Sequence, residues 1–157
     1  MRPCRQLGKR LLKQLATVPT LIGESSNNER DNQRRVAMAR ILAVDDSAAM
    51  RQMVGITLTG AGHQVEQAID GCQALEIAER TKFDLVITDV NMPNMDGITL
   101  VRELRNRASY KYVPLLMLTT EATTERKQQG KAAGATGWLV KPFNPERLLA
   151  TVAKVLG

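Results

Sequence analysis

Residues 41–47 read Ile-Leu-Ala-Val-Asp-Asp-Ser, an apolar run that stops at two acids and a serine. Two further apolar runs, at residues 85–87 and 115–118, are bounded by polar residues in the same way. Apolar runs without alternation are typical of strands buried on both faces of a parallel sheet. These runs therefore predict three central strands, while the more polar 64–68 predicts an edge strand and 138–140 a short fifth strand.

Helical patterns lie between the predicted strands. Ser47, Asp70 and Asn144 each precede apolar residues at helical spacing and can cap a helix, and residues 98–104 carry a further apolar stripe. Strands that alternate with helices predict βαβ units with right-handed crossovers. We therefore expect an α/β, doubly wound domain, in which ligands bind beyond the carboxyl ends of the strands.

The basic charge of the chain is concentrated at its N-terminus. The 157 residues carry a net charge of +6, and residues 1–38 hold eight Lys and Arg against three acids. The basicity therefore does not predict a nucleic-acid partner. Residues 1–37 combine a leucine-bearing basic helix with a polar stretch, and we expect them to be a disordered or dispensable extension, although such a helix can also bind a membrane surface or a partner. The domain is expected to span residues 38–157.

Cysteine content and hydropathy bear on location. Cys4 and Cys72 form no disulfide framework, which fits a reducing compartment. No apolar run approaches the ~20 residues of a membrane-spanning helix. We expect a cytoplasmic protein without membrane insertion. Cys72 is expected to be half-buried and the single histidine, His63, to be exposed in a turn.

Polar side chains follow four of the predicted strands. Asp45 and Asp46 follow the first, Asp89 the third, Thr119 the fourth and Lys141 the fifth. Taken singly, each is typical of a turn, a cap or a solvated end. Parallel strands bring these ends together, however, and three carboxylates in contact are tolerable only around a cation. An all-oxygen site that can retain waters suits Mg²⁺.

Acids, a lysine and a hydroxyl at one Mg²⁺ site indicate phosphoryl transfer. Asp89 is the expected nucleophile because it ends the most buried strand, and a carboxylate can accept phosphorus as an acyl phosphate. Lys141 would offset charge on the transferred oxygens, and the Thr119 hydroxyl would donate to one of them.

Four segments together resemble a known family, the bacterial response-regulator receiver domain, and especially its single-domain, CheY-like chemotaxis members. These segments are residues 44–47, 88–97, 118–122 and 134–143, and the resemblance covers residues 40–157. It implies a (βα)5 flavodoxin-like sandwich with a parallel five-stranded sheet in the order 2-1-3-4-5.

The resemblance also implies roles for the site residues. Asp89 is the implied phosphoacceptor, and Asp46, Asp89 and the backbone carbonyl of Asn91 are the implied Mg²⁺ ligands, with Asp45 acting mostly through water. Lys141 is expected to pair with the acceptor or the phosphoryl group. The peptide bond between Lys141 and Pro142 is expected to be cis.

Further positions are implied to tune or transmit the signal. Thr119 is the implied switch hydroxyl, and Asn91 and Glu121 occupy positions that tune dephosphorylation. Trp138 stands where relatives usually have Tyr or Phe, and an indole donates only through its N–H. The sequence therefore leaves open whether the Trp138 ring moves between two positions in the way that Tyr or Phe does in relatives.

The resemblance implies a sensor histidine kinase, of the CheA-like kind, as phosphodonor. The chain ends thirteen residues after Asn144, so we expect its output to be a change of surface, read by a flagellar motor switch protein or a phosphatase. We also expect a monomer. Lys127 and Lys131 stand where an apolar motor contact is expected, and Gly130 suggests a mobile helix. A phosphorelay shuttle or phosphate sink without motor contact is therefore the alternative.

Two other classes share this architecture. A flavodoxin-like redox protein needs a loop that accepts the phosphate of a flavin after the first strand, where Asp45 and Asp46 would repel it. A phosphatase with an aspartyl nucleophile would carry that nucleophile at the end of the first strand. Both are disfavoured by the positions of the acids.

Overall fold

The computed structural model describes residues 38–120 and 123–157. Five parallel strands form one sheet in the order β2-β1-β3-β4-β5, which confirms the expected topology. The strands are β1 (Arg40–Val44), β2 (Gln64–Ala68), β3 (Leu85–Asp89), β4 (Leu115–Thr119) and β5 (Gly137–Val140). The helices are α1 (Ala48–Gly60), α2 (Gly71–Arg80), α3 (Gly97–Arg105), α4 (Thr124–Ala133) and α5 (Pro145–Leu156), with a short 3-10 turn at Ala108–Tyr110.

The sheet separates two apolar layers. Alternate residues of the central strands, such as Leu42 and Val86, face α2, α3 and the end of α4. Their neighbours, such as Ile41 and Ile87, face α1 and α5. Because β1, β3 and β4 are covered on both faces, their residues are apolar without alternation, as the sequence indicated.

The predicted helix caps are confirmed. The side chains of Ser47, Asp70 and Asn144 accept hydrogen bonds from backbone N–H groups of the first turns of α1, α2 and α5. Asp96 caps α3 in the same way. Each of these helices follows a strand, so its capped N-terminus lies on the side of the sheet where the strands end.

Two local expectations are wrong. His63 is buried, with 8% of its surface exposed, because it follows the end of α1 and leads directly into β2. Cys72 is exposed rather than half-buried, since it lies in the first turn of α2 on its outer side. Gly130 is buried inside α4 and packs against the indole of Trp138; the mobility expected of this helix stays a prediction.

Some expectations fall on other parts of the chain. The predicted extension at residues 1–37 and the predicted tuning residue Glu121 lie outside the described residues. Among the helices that the structure describes, none has the length and apolar character needed to cross a bilayer.

Candidate functional site

Three carboxylates meet at the carboxyl edge of the sheet. Asp45 and Asp46 follow β1, and Asp89 ends the neighbouring β3, whose register pairs Val44 with Thr88. One carboxylate oxygen from each acid lies within 4.8 Å of the others. Asp45 is buried, Asp89 is partly buried and Asp46 is exposed, so the cluster opens to solvent on the side of Asp46. The predicted convergence of these acids is confirmed.

The Asp45 carboxylate is held by contacts on both oxygens. Its Oδ1 accepts a hydrogen bond from the backbone N–H of Ser47 at 2.9 Å, and its Oδ2 accepts one from Lys141 Nζ at 3.0 Å. The Arg51 guanidinium on α1 donates to the Asp45 backbone carbonyl at 2.7 Å. The orientation of Asp45 is therefore fixed from β5 and from α1.

Lys141 reaches the cluster from the end of β5. Its backbone N–H donates to the carbonyl of Thr119 at 2.8 Å, which places it beside the end of β4. Its ammonium also lies 3.4 Å from Asp89 Oδ1, and only 11% of its side chain is exposed. The expected cis bond between Lys141 and Pro142 is present. The partly buried Lys141 ammonium thus bridges two of the three acids, Asp45 and Asp89.

The electrostatics of Asp89 are dominated by burial. Desolvation and the nearby Asp45 charge raise the pKa of the Asp89 carboxyl, and the Lys141 charge and the N–H of Val90 oppose that rise. That N–H donates to Asp89 Oδ1 at 2.8 Å. Desolvation and the Asp45 charge prevail, so the pKa of Asp89 is raised. A bound cation would act against this rise, because a positive charge favours the ionised carboxylate.

The donor set fits a divalent cation that prefers oxygen. Carboxylates of Asp45, Asp46 and Asp89 are hard oxygen ligands, and the exposed side of the cluster leaves room for bound waters. Such a set suits Mg²⁺, which binds through one or two carboxylates and keeps several waters. The carbonyl of Asn91 remains a predicted ligand. Asn91 itself is exposed in the loop of residues 90–96 that joins β3 to α3.

The other two predicted residues lie in different places. Thr119 ends β4 next to Lys141 and is buried. Trp138 lies on β5 with its indole against Gly130 of α4, close to the side chain of Met117. Thr119 therefore belongs to the edge that carries the acids, whereas Trp138 lies in the contact between β5 and α4.

Two polar contacts near the site were missed at the level of sequence. The contact of Arg51 could not be predicted from the sequence, because its partner is the backbone carbonyl of Asp45 and no side-chain pattern marks such a partner. Asp70 is recognisable as a cap, yet its second oxygen accepts a hydrogen bond from Asn94 of the loop at residues 90–96. A bond between residues this far apart in sequence cannot be inferred from local pattern.

Comparison with known proteins gives one family model, described as the response regulator receiver domain, which matches residues 41–153. Among curated relatives, the DNA-binding dual master transcriptional regulator RpaA of a Synechocystis strain is 39% identical over 119 residues. That match covers 76% of this chain and 49% of RpaA, so the chain spans about half the length of this relative.

Among solved structures, the similarity covers nearly the whole of the matched chain. Chemotaxis protein CheY4 of Vibrio cholerae is 58% identical with a TM-score of 0.74, over 76% of this chain and 99% of that one. The receiver domain of a sensor histidine kinase from Pseudomonas aeruginosa, determined with a magnesium ion coordinated in its active site cleft, is 30% identical with a TM-score of 0.72. That alignment covers 77% of this chain and 99% of the other.

Proposed function

The chain belongs to the response-regulator receiver domain family, and on that basis we propose that it is a phosphoacceptor signalling protein of a two-component pathway. Asp89 accepts a phosphoryl group from a sensor histidine kinase in the cytoplasm, with Mg²⁺ bound at Asp46, Asp89 and the Asn91 carbonyl, and with Asp45 nearby. The observation that carries the proposal is the Lys141 ammonium, which lies 3.0 Å from Asp45 and 3.4 Å from Asp89 within a cluster of three acids.

The side chains have distinct tasks in the transfer. An oxygen of Asp89 attacks phosphorus, the bond from phosphorus to the donor breaks, and the donor leaves with the electron pair. Lys141 donates hydrogen bonds to the phosphoryl oxygens, and the Thr119 hydroxyl donates another once the group is attached. Mg²⁺, when bound, supplies the remaining charge neutralisation for those oxygens. Asp45 keeps Lys141 in place before the transfer.

The output is a change of surface that alters the affinity for a partner, as a population shift biased by the phosphoryl group. Similarity to a chemotaxis protein supports a role in chemotaxis or motility, with a motor switch protein or a phosphatase as partner. The exposed Lys127 and Lys131 on α4 favour a second candidate, a phosphorelay shuttle or phosphate sink. Capture of the motor switch protein by the phosphorylated form, but not by the unphosphorylated form, would select the first candidate.

Labelling with a small acyl phosphate tests the phosphoacceptor. With Mg²⁺, the wild-type chain should gain one phosphoryl group, and Asp89→Asn should abolish the gain. Asp84→Asn is the matched control, because Asp84 is exposed and lies just before the opposite end of β3. Labelling that survives Asp89→Asn, or that proceeds unchanged in a chelator, would contradict the proposal.

A further inference from the structure

The loop at residues 90–96 is tied to the start of α2. Asn94 Nδ2 donates a hydrogen bond of 2.8 Å to Oδ2 of Asp70, which lies 24 positions earlier in the chain. Asp70 is buried, with 8% of its surface exposed. A buried, charge-assisted hydrogen bond of this kind is among the stronger polar contacts of a protein. It therefore joins the loop that follows the phosphoacceptor strand to the turn that follows β2.

The backbone of the loop is adapted to this bond. Asn94 has a φ of 69°, in the left-handed region that asparagine and glycine tolerate better than other residues. Next to it, Met95 packs closely on Gly71, where an added Cβ would lie 2.7 Å from the Met95 Cβ. The loop thus rests on the first residues of α2 at two adjacent points.

Asp70 is itself rigidly held. Its Oδ1 accepts the backbone N–H of Gln73 at 2.8 Å, and Gln73 Oε1 accepts the N–H of Ile69 at 2.7 Å in return. The hydrogen bonds from Gln73 and Asn94 also lower the pKa of the Asp70 carboxyl and so favour its ionised form. The Asp70 carboxylate that accepts the hydrogen bond from Asn94 is therefore held in one orientation by its other hydrogen bond.

The two ends of the loop are fixed elsewhere. The N–H of Val90 is shared between Asp89 Oδ1, at 2.8 Å, and the carbonyl of Leu118 on β4, at 3.2 Å. The N–H of Gly97 donates to the carbonyl of Val90 at 2.8 Å. Between these ends lies Asn91, whose backbone carbonyl is the proposed neutral ligand of the metal. The position of that carbonyl relative to the carboxylates depends on the conformation of the middle of the loop. The contacts of Asn94 with Asp70 and of Met95 with Gly71 restrain that conformation.

We propose that Asp70 is a positioning residue for the metal site, acting through Asn94 on the loop that presents the Asn91 carbonyl. This inference rests on the proposed Mg²⁺ site and adds to it a residue outside the acidic cluster. Partners that orient the ligands of a metal typically change its affinity by about 10- to 100-fold when they are removed. One ligand of several is affected here, so we expect a loss at the lower end, about tenfold.

Two substitutions separate this role from the capping role of Asp70. Asp70→Ser keeps a side-chain oxygen that can cap α2 but is too short to reach Asn94. Asn94→Gly accepts the positive φ and removes the amide. Asn106→Gly is the matched control, since it makes the same change at an exposed position that ends α3.

Calorimetric titration of the full chain with magnesium chloride gives the affinity, and urea unfolding in chelator gives the stability of the same samples. Asp70→Ser and Asn94→Gly should each weaken Mg²⁺ binding about tenfold. The double variant should be no weaker than either single variant, because both remove the same bond. The Asn106→Gly control should bind Mg²⁺ within about twofold of wild type, because it removes no contact of the loop.

The outcomes distinguish this inference from the function on which it rests. Absence of Mg²⁺ binding by the wild-type chain would overturn the proposed function. Normal binding by wild type with unchanged affinity in both single variants would overturn the positioning role alone. Additive losses in the double variant, or an equal loss in the Asn106→Gly control, would also overturn it, because they would indicate general destabilisation.

Discussion

Substitution of Gly130 by alanine tests the contact between α4 and β5. A Cβ at this position would collide with Cζ2 of the Trp138 indole and would lie 3.2 Å from Met117 Sδ. In an unobstructed helix interior the same change stabilises by about 1 kcal/mol, because alanine is the better helix former. Space and propensity therefore act in opposite directions at this residue.

The size of the effect follows from the two contributions. Forcing an extra methyl into a packed contact costs about 1–3 kcal/mol, so Gly130→Ala should destabilise the wild-type chain by about 1 kcal/mol after the gain in propensity. With Trp138→Phe the second ring of the indole is gone and the methyl fits. In that background Gly130→Ala should stabilise by about 1 kcal/mol, which makes the coupling between the two positions about 2 kcal/mol.

Urea unfolding followed by circular dichroism measures all four members of this cycle, since the Trp138→Phe variants lack the fluorophore. Fluorescence of Gly130→Ala adds a second readout, because an indole pushed out of its contact emits at longer wavelength. A coupling near 2 kcal/mol, or a red shift, agrees with the packing. Stabilisation of the wild-type background by about 1 kcal/mol with unchanged emission would refute the reasoning.

Three further predictions concern titration and buried polar contacts. Burial and the nearby Asp45 charge raise the pKa of Asp89, so in the metal-free protein the Asp89 contribution to stability is lost as pH rises through that pKa. In chelator, Asp89→Asn should therefore have a higher melting temperature than wild type at pH 7. A difference in melting temperature that does not shrink toward pH 4 would contradict this. The Tyr110 hydroxyl donates to the Thr81 carbonyl at 2.8 Å, and Tyr110→Phe should cost about 1–3 kcal/mol in urea unfolding, with no change counting against the contact. Burial lowers the pKa of His63 from 6.5, so the contribution of His63 to stability should fall as pH drops below about 6.5. The difference in stability between wild type and His63→Gln should therefore change below that pH, and a difference that stays constant with pH would exclude the histidine as its source.

Most of the fold could be predicted because its strands are buried on both faces. Continuous apolar runs as short as residues 41–44 and 115–118 are typical of buried parallel strands, and the capping residues between them mark where helices begin. The site followed from the same logic. Since parallel strands end at one edge, Asp45 and Asp89 had to lie close together once both were assigned to neighbouring strands.

Features set by packing between distant segments could not be predicted. Helix propensity alone makes Gly130 a weak point, whereas the structure uses the missing side chain to admit the Trp138 indole. The sequence around His63 is that of an exposed turn, yet the fold buries its ring. The bond from Asn94 to Asp70 depends on where two loops meet, which no local pattern records.

The most direct measurement of the central claim is the position of the phosphoryl group. The chain is incubated with Mg²⁺ and a small acyl phosphate, digested, and mapped by mass spectrometry. Modification confined to the peptide that contains Asp89, and absent when Mg²⁺ is chelated, is the predicted result. A phosphoryl group found on Asp45, on Asp46 or on any other residue would contradict it.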